Sequence, residues 1–227
     1  LIFLGNRPRS RYHYQGKPPV TAWLCKKGNQ RKMTDNIENI RLQEQKIRKA
    51  NTLFFDLDGT LIDTDYANFL SYKKAIEQIK NLQLNVVIKP TNRITRKTIR
   101  TFSPDLSGEE YDKIIEIKES LYRFHLHATK LNRTVASMLD KYSDKKIILV
   151  TNSRQERADL LLNHFNLIDK FSQKYYRENM TSDNKFQHVL SALRIDASLV
   201  FVFENDESEI DAAVTAGIPS ENILRVV

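Results

Sequence analysis

Residues 53–65 read LFFDLDGTLIDTD. An apolar run over 52–56 ends in an acid, and a second acid follows two positions on. In extended backbone, positions i and i+2 point the same way, so the carboxylates of Asp56 and Asp58 share one side at the mouth of a strand. Two such groups repel each other unless a proton or a cation joins them. Gly59 then permits a sharp turn that lets main-chain N–H groups face a bound anion. An acidic Asp-Gly turn after a strand is common in itself. The whole string, with Thr60 behind it and a buried strand before it, is far more specific.

Working outward, two further unalternated apolar runs occur at 146–151 (KIILVT) and 199–203 (LVFVF). Such runs suit strands buried on both faces of a parallel sheet. Helical stripes separate them: Ala158, Leu161, Leu162 and Phe165 within 154–165, and Phe186, Val189, Leu190 and Leu193 within 185–193. A short helix over 207–216 is ended by Gly217 and Pro219. Weaker strands are expected near 171–176 and 223–227. Strands alternating with helices predict an α/β fold, a doubly wound parallel sheet. Residues 66–142 break the alternation and read as helical, with breaks near 89–92 and 103–108. A single helix is expected from about Ser120 to Tyr142, since Leu121, Phe124, Ala128, Leu131, Val135, Met138 and Tyr142 form one stripe.

With these motifs in place, the body resembles the haloacid dehalogenase (HAD) superfamily of phosphotransferases, in its branch similar to β-phosphoglucomutase and phosphoglycolate phosphatase. The resemblance spans roughly 52–227 and implies a HAD-like Rossmannoid core (51–65 and 143–227) with an inserted helical cap (66–142). It implies that Asp56 is a nucleophile forming an aspartyl-phosphate, and that Asp58 is the general acid and then the base, with its main-chain carbonyl on magnesium. Thr60 favours phosphatases over mutases, which more often carry Val there. ILVTNS at 148–153 is similar to the second family motif, implying that Thr151 and Asn152 bind the phosphoryl group. Lys185, opening a helix after the third strand, resembles the phosphate-neutralising lysine, with Lys174 as a fallback. FVFENDESEIDAAVTAG at 201–217 resembles the family's acidic motif and implies that Asp56, Asp58, Glu204 and Asn205 hold Mg2+. Here Asn205 stands where an aspartate is usual, with Glu204 or Asp206 available to compensate for the lost charge.

Charge says little about this chemistry. The chain has 227 residues and a formal net charge of +8. Residues 1–32 carry eight Lys and Arg and no acid, so the body from 33 onward balances to zero. The stretch RPRSRYHYQGKPP predicts a basic, disordered leader over 1–32. It reads either as an arm with cations on phosphates and Tyr12 and Tyr14 on bases or, preferred here, as sequence without a role, upstream of Met33. A polybasic run alone does not argue for a nucleic-acid partner. A helix is expected over 33–50, with Ile37, Ile40 and Ile47 on one side. One cysteine, Cys25, excludes a disulfide framework and a cysteine-rich zinc site. No apolar run reaches the roughly 18 residues that span a bilayer, so a cytoplasmic protein without a membrane partner is the default. The oligomeric state stays open.

The reading is therefore a magnesium-dependent phosphatase acting on a small phosphorylated metabolite. Its rivals are a sugar phosphomutase of the same fold and a catalytically weak binding module with a nucleic-acid-binding leader. No Walker-type loop is present, and two acids on one strand end do not face each other across a sugar as a glycosidase requires. His125 and His127, two apart on a helix, face different directions. Arg93, Arg96, Lys97 and Arg100 form a basic cluster in the cap, placed either to meet a second anionic group or as a solvated face. Asp63 and Asp65 are expected to line the cleft.

Overall fold

The computed structural model describes residues 43–81, 96 and 98–227. The leader, the start of the helix expected over 33–50, the break near 89–92, and the side chains of Arg93 and Lys97 lie outside these. Residues 43–49 form helix α1. The central strand β1 (Thr52–Phe55) is buried along its whole length. It pairs in parallel with β4 (Lys146–Val150) on one side and β6 (Val200–Glu204) on the other. β5 (Gln173–Tyr175) and β7 (Ile223–Arg225) complete the parallel sheet, in the order β5-β4-β1-β6-β7.

The strand period of two assigns these apolar runs to two layers. Leu53, Phe55, Ile147, Leu149, Phe201 and Phe203 face one side, with Ile47 of α1 and Ala158, Leu161 and Leu162 of α6 (Gln155–His164). Phe54, Ile148, Val150, Val200 and Val202 face the other, with Phe186, Val189 and Leu190 of α7 (Lys185–Leu193) and Ala213 of α8 (Glu207–Thr215). Phe55 stacks on Phe203, with centroids 4.3 Å apart and planes 5° apart. Burying side chains of this kind contributes about 1.5–3 kcal/mol each. The chain runs from β1 through β4 to β5 on one side, then crosses to β6 and β7 on the other. The crevice at the carboxyl ends of β1, β4 and β6 therefore lies at the switch point where open α/β sheets bind ligands.

After β1, a two-residue strand β2 (Ile62–Asp63) pairs antiparallel with β3 (Lys130–Leu131). Between them lie α2 (Asp65–Lys80), α3 (Ile99–Phe102) and α4 (Gly108–Tyr122). Phe69, Tyr72, Ala75, Ile76, Ile99, Leu106, Ile114 and Ile115 form their shared core. Ser107 and Glu110 make a reciprocal capping box at the start of α4.

The single helix expected over Ser120–Tyr142 is instead four elements. α4 ends at Tyr122, a tight turn spans Arg123–Ala128, β3 follows, and α5 (Arg133–Lys141) starts afresh. Asn132 caps α5, its side chain accepting from the Val135 N–H. Val135, Leu139 and Tyr142 pack with the sheet layer that holds α1 and α6, not with the core of α2 and α4. The apolar stripe survives only in part: Ala128, Val135 and Tyr142 are buried, whereas Phe124, in the turn, is exposed.

Candidate active site

Every residue proposed from sequence for the chemistry lines one cavity of about 280 Å³: Asp56, Asp58, Thr151, Asn152, Lys185, Glu204 and Asn205. Asp56 ends β1, its N–H donating to the Phe203 carbonyl of β6 at 3.1 Å. The Gly59 N–H donates to the Ile62 carbonyl at 2.7 Å, closing the turn. Gly59 has φ +90, and a Cβ there would lie 2.3 Å from Nδ2 of Asn205. Both the left-handed backbone and the close approach of Asn205 require glycine.

Lys185 opens α7, whose N-terminus is capped by Asn184. Its side chain is 1 % exposed and donates to Oδ1 of Asp56 at 2.9 Å and Oε2 of Glu204 at 2.8 Å. Glu209 lies 3.6 Å away. Burial alone would drive the lysine towards neutrality, but the charges of Asp56, Glu204 and Glu209 outweigh it and hold its pKa above the ordinary value. Asp56 behaves oppositely. Burial, reinforced by the charge of Glu204 and opposed by Lys185, pushes its pKa up to about 7. The fallback Lys174 bonds the Ile168 carbonyl and does not line the cavity.

Asp58 is held by groups that the sequence reading passed over. Thr64 donates to its Oδ1 at 2.9 Å, and Ser153 and Arg157 donate to its Oδ2, Arg157 at 3.3 Å. Burial pushes Asp58 up, but the Arg157 charge and the two hydroxyl donors overcome it and leave its pKa below the ordinary range. Arg157 also meets Ser153, and Asn68 of α2 at 3.4 Å. Its contact with Glu119 of α4 is 4.0 Å. Beside Glu119, Lys118 is buried with its ammonium over the rings of Tyr122 and Tyr72. Burial, then the charge of Arg157, lowers the Lys118 pKa to about 7 against the pull of Glu119 and Asp58. One signal in the sequence points to part of this network: Ser153 closes the motif that follows β4 and Arg157 lies in the first turn of the next helix, so both fall near the sheet edge that carries Asp58.

Thr151 is buried. Its Oγ1 accepts from the Ser153 N–H at 3.1 Å, and its own N–H donates to the Tyr175 carbonyl at 3.0 Å. The exposed Asn152 amide donates to Oε1 of Glu209 at 2.9 Å. Oδ1 of Asn205 accepts from the Thr60 hydroxyl at 3.1 Å. Oε1 of Glu204 accepts from the N–H groups of Asn205 and Asp206. Asp206 lines the same cavity and caps α8 through Ser208. Asp63 and Asp65 do not line the cleft as expected. Asp63 is exposed, its Oδ1 accepting from the Asp65 N–H at 3.2 Å. Of the basic cluster, Arg96 reaches the cavity. Arg100 instead bonds the Leu106 carbonyl and lies over the Tyr111 ring. His125 and His127 have ring centroids 6.2 Å apart. No membrane-spanning helix occurs among the described residues.

Known structures share this architecture. A HAD-superfamily hydrolase of subfamily IA, variant 1, from Geobacter sulfurreducens matches with TM-score 0.59 and 18% identity over 75% of this chain and 85% of its own. A predicted phosphoglycolate phosphatase from Haemophilus somnus matches with TM-score 0.63 and 18% identity over 74% and 83%. CbbY from Rhodobacter sphaeroides in complex with phosphate matches with TM-score 0.61 and 14% identity over 74% and 84%. The family model for haloacid dehalogenase-like hydrolases matches residues 53–223. With the two-aspartate turn, the buried lysine and the acidic loop gathered at one sheet edge, the chain belongs to the haloacid dehalogenase-like hydrolase family.

Proposed function

We propose that the protein is a magnesium-dependent phosphatase that hydrolyses a small phosphorylated metabolite through an aspartyl-phosphate on Asp56. The observation that carries this is the buried Lys185 bridging Asp56 and Glu204. That bridge supplies a fixed cation beside the attacking carboxylate, where the charge of a phosphoryl group must be met.

The donors at this sheet edge suit a magnesium ion. All are oxygens: the Asp56 carboxylate, the Asp58 main-chain carbonyl, and the side chains of Glu204 and Asn205. Among the described residues no three His, Cys, Asp or Glu converge as a ready-made cage. Magnesium does not need one, since it keeps several waters and is held by one or two carboxylates plus substrate phosphate. The raised pKa of Asp56, caused by burial and then by Glu204, marks crowded negative charge that a cation offsets. When bound, the ion would neutralise phosphate oxygens.

In the first step an oxygen of Asp56 attacks phosphorus and the ester P–O bond breaks. The leaving oxygen takes a proton from Asp58. In the second step water attacks phosphorus, Asp58 takes the water proton, and the P–O bond to Asp56 breaks to release phosphate. The low pKa of Asp58 beside Arg157 and Ser153 suits the base of this second step and works against the acid of the first. Thr151, Asn152 and Lys185 bind the phosphoryl oxygens.

The test is phosphate release from an aryl phosphate and a panel of sugar phosphates, with EDTA abolishing release and magnesium restoring it. Asp56 must be ionised to attack, so at limiting magnesium activity falls as pH drops through about 7. Saturating magnesium favours the carboxylate and moves that limb to lower pH. An acid limb that ignores magnesium would count against the assignment. A mutase would yield an isomer with no free phosphate. Asn205→Asp adds charge to the donor set and is expected to lower the magnesium concentration for half-maximal activity roughly tenfold, read by titrating magnesium against phosphate release.

A further inference from the structure

Arg157, in the first turn of α6, lines the catalytic cavity beside Asp58. Both side chains are largely buried, 17 % exposed for Arg157 and 14 % for Asp58. Nη2 of Arg157 donates to Oδ2 of Asp58 and to the Ser153 hydroxyl, and Nη1 donates to Oδ1 of Asn68. The Tyr122 ring lies 5.4 Å from the centre of the guanidinium. The arginine is thus held by the loop after β4 through Ser153, and by the insert through Asn68 of α2 and Tyr122 of α4.

Charge directs this guanidinium onto Asp58. Oε1 of Glu119 meets Arg96 at 3.3 Å and Lys118 at 3.4 Å, and stays 4.0 Å from Arg157. Asp58, at 3.3 Å, is the nearer carboxylate. A buried cation does not give up its counter-charge cheaply. Arg157 and Ser153 therefore fix Oδ2 of Asp58, while Thr64 fixes Oδ1 at 2.9 Å. Donors on both oxygens set the plane of the carboxylate and the direction of its remaining lone pairs. Stability alone would not choose this arrangement. Among the described residues, Nε of Arg157 is buried with no hydrogen-bond partner, which costs stability and asks for a reason in function.

We infer that Arg157 is a positioning residue for the second chemical step: it aims Asp58 at the water that attacks the phosphoryl group on Asp56. This rests on the phosphatase reading and deepens it. In that step a lone pair of the water oxygen forms the new bond to phosphorus and one water proton passes to Asp58. The electron pair of the breaking P–O bond returns to Asp56. Without the guanidinium, the Asp58 carboxylate is free to turn away from the water. The experiment uses the full chain with magnesium and p-nitrophenyl phosphate, whose leaving group departs without a proton. The first step then needs no acid from Asp58, and the second alone feels its orientation.

Arg157→Ala is expected to lower kcat about 10²-fold while kcat/KM stays within about threefold, so that KM falls with kcat. Intact-protein mass spectra of acid-quenched samples should show most of the variant carrying a phosphoryl group at steady state, and less of the wild type. Arg157→Lys keeps the charge but not the fork, and should recover roughly tenfold of the loss. A joint fall of kcat and kcat/KM with no build-up of phosphoryl-enzyme is what a merely structural arginine would give, and it overturns the inference. Unfolding curves of Asp58→Asn, Arg157→Lys and the double variant supply a readout without turnover. The second substitution should cost less after the first, and strictly additive losses overturn the inference. A wild type that releases no nitrophenolate defeats the phosphatase reading, while the unfolding cycle still decides whether Arg157 holds Asp58.

Discussion

Asp56→Asn is expected to lower phosphate release by roughly 10⁴-fold or more, the scale of losing a covalent nucleophile, while leaving the protein as stable as before or more so. The two halves of this expectation have one cause. Asp56 is buried beside Glu204 and Asp58, and burial followed by the charge of Glu204 raises its pKa to about 7. A carboxyl whose folded pKa is raised favours the fold when protonated, and that stability is lost as pH rises from about 4 through about 7. An amide carries no such cost, and Lys185 keeps Glu204 and Glu209 as partners. Unfolding curves in EDTA should therefore show the variant gaining on wild type as pH rises across that window, with little difference near pH 4. A variant that loses stability at pH 8, or that retains more than a hundredth of wild-type turnover, would contradict the placement of charge described above.

Lys185→Met is expected to do the reverse and damage both fold and function. The methionine fills a similar volume but leaves Asp56 and Glu204 buried without their shared cation. Breaking a buried ion cluster from one side costs about 3–5 kcal/mol, roughly 6–20 °C in Tm for a chain of this size. The loss should ease as pH falls, because the stranded carboxylates then take up protons. Turnover per folded molecule should drop roughly 10²–10³-fold, the effect of removing one fixed donor to a developing anion. The double variant Lys185→Met with Glu204→Gln separates charge from packing. It should recover part of the lost stability but none of the activity. Strictly additive losses would mean that Lys185 acts by packing alone.

Much of the site could be read from the chain because its parts lie at the ends of apolar runs. Asp56, Thr151 and Glu204 each follow or finish a strand, and Lys185 opens a helix, so local pattern was enough to place them at one sheet edge. The residues that hold Asp58 were not readable in this way. Ser153 and Arg157 are 95 and 99 residues away from it, and no period in the sequence encodes that pairing. Lys118 and Glu119 read as ordinary charges on a helix, yet Lys118 is 1 % exposed. What admits it is the pair of tyrosine rings and the acids around it. The run from Ser120 to Tyr142 misled because an apolar stripe does not report whether the backbone stays helical, and where it does not, at Phe124, the side chain is left exposed. Asp63 was misplaced for a related reason. In β2 the side chains alternate, so with Ile62 buried its neighbour turns to solvent.

The small ribbon of β2 and β3 has a topological consequence. Ile62 pairs with Leu131 and Asp63 with Lys130, so the chain leaves for the insert and returns from it at points about 5 Å apart. A segment whose two ends already meet can be exchanged for one of very different length at little cost, since doubling a loop adds only about 0.6 kcal/mol of closure entropy. The junction thus behaves as a splice point. One sheet can accept unrelated inserts over the same pair of aspartates by replacing a single continuous stretch of chain.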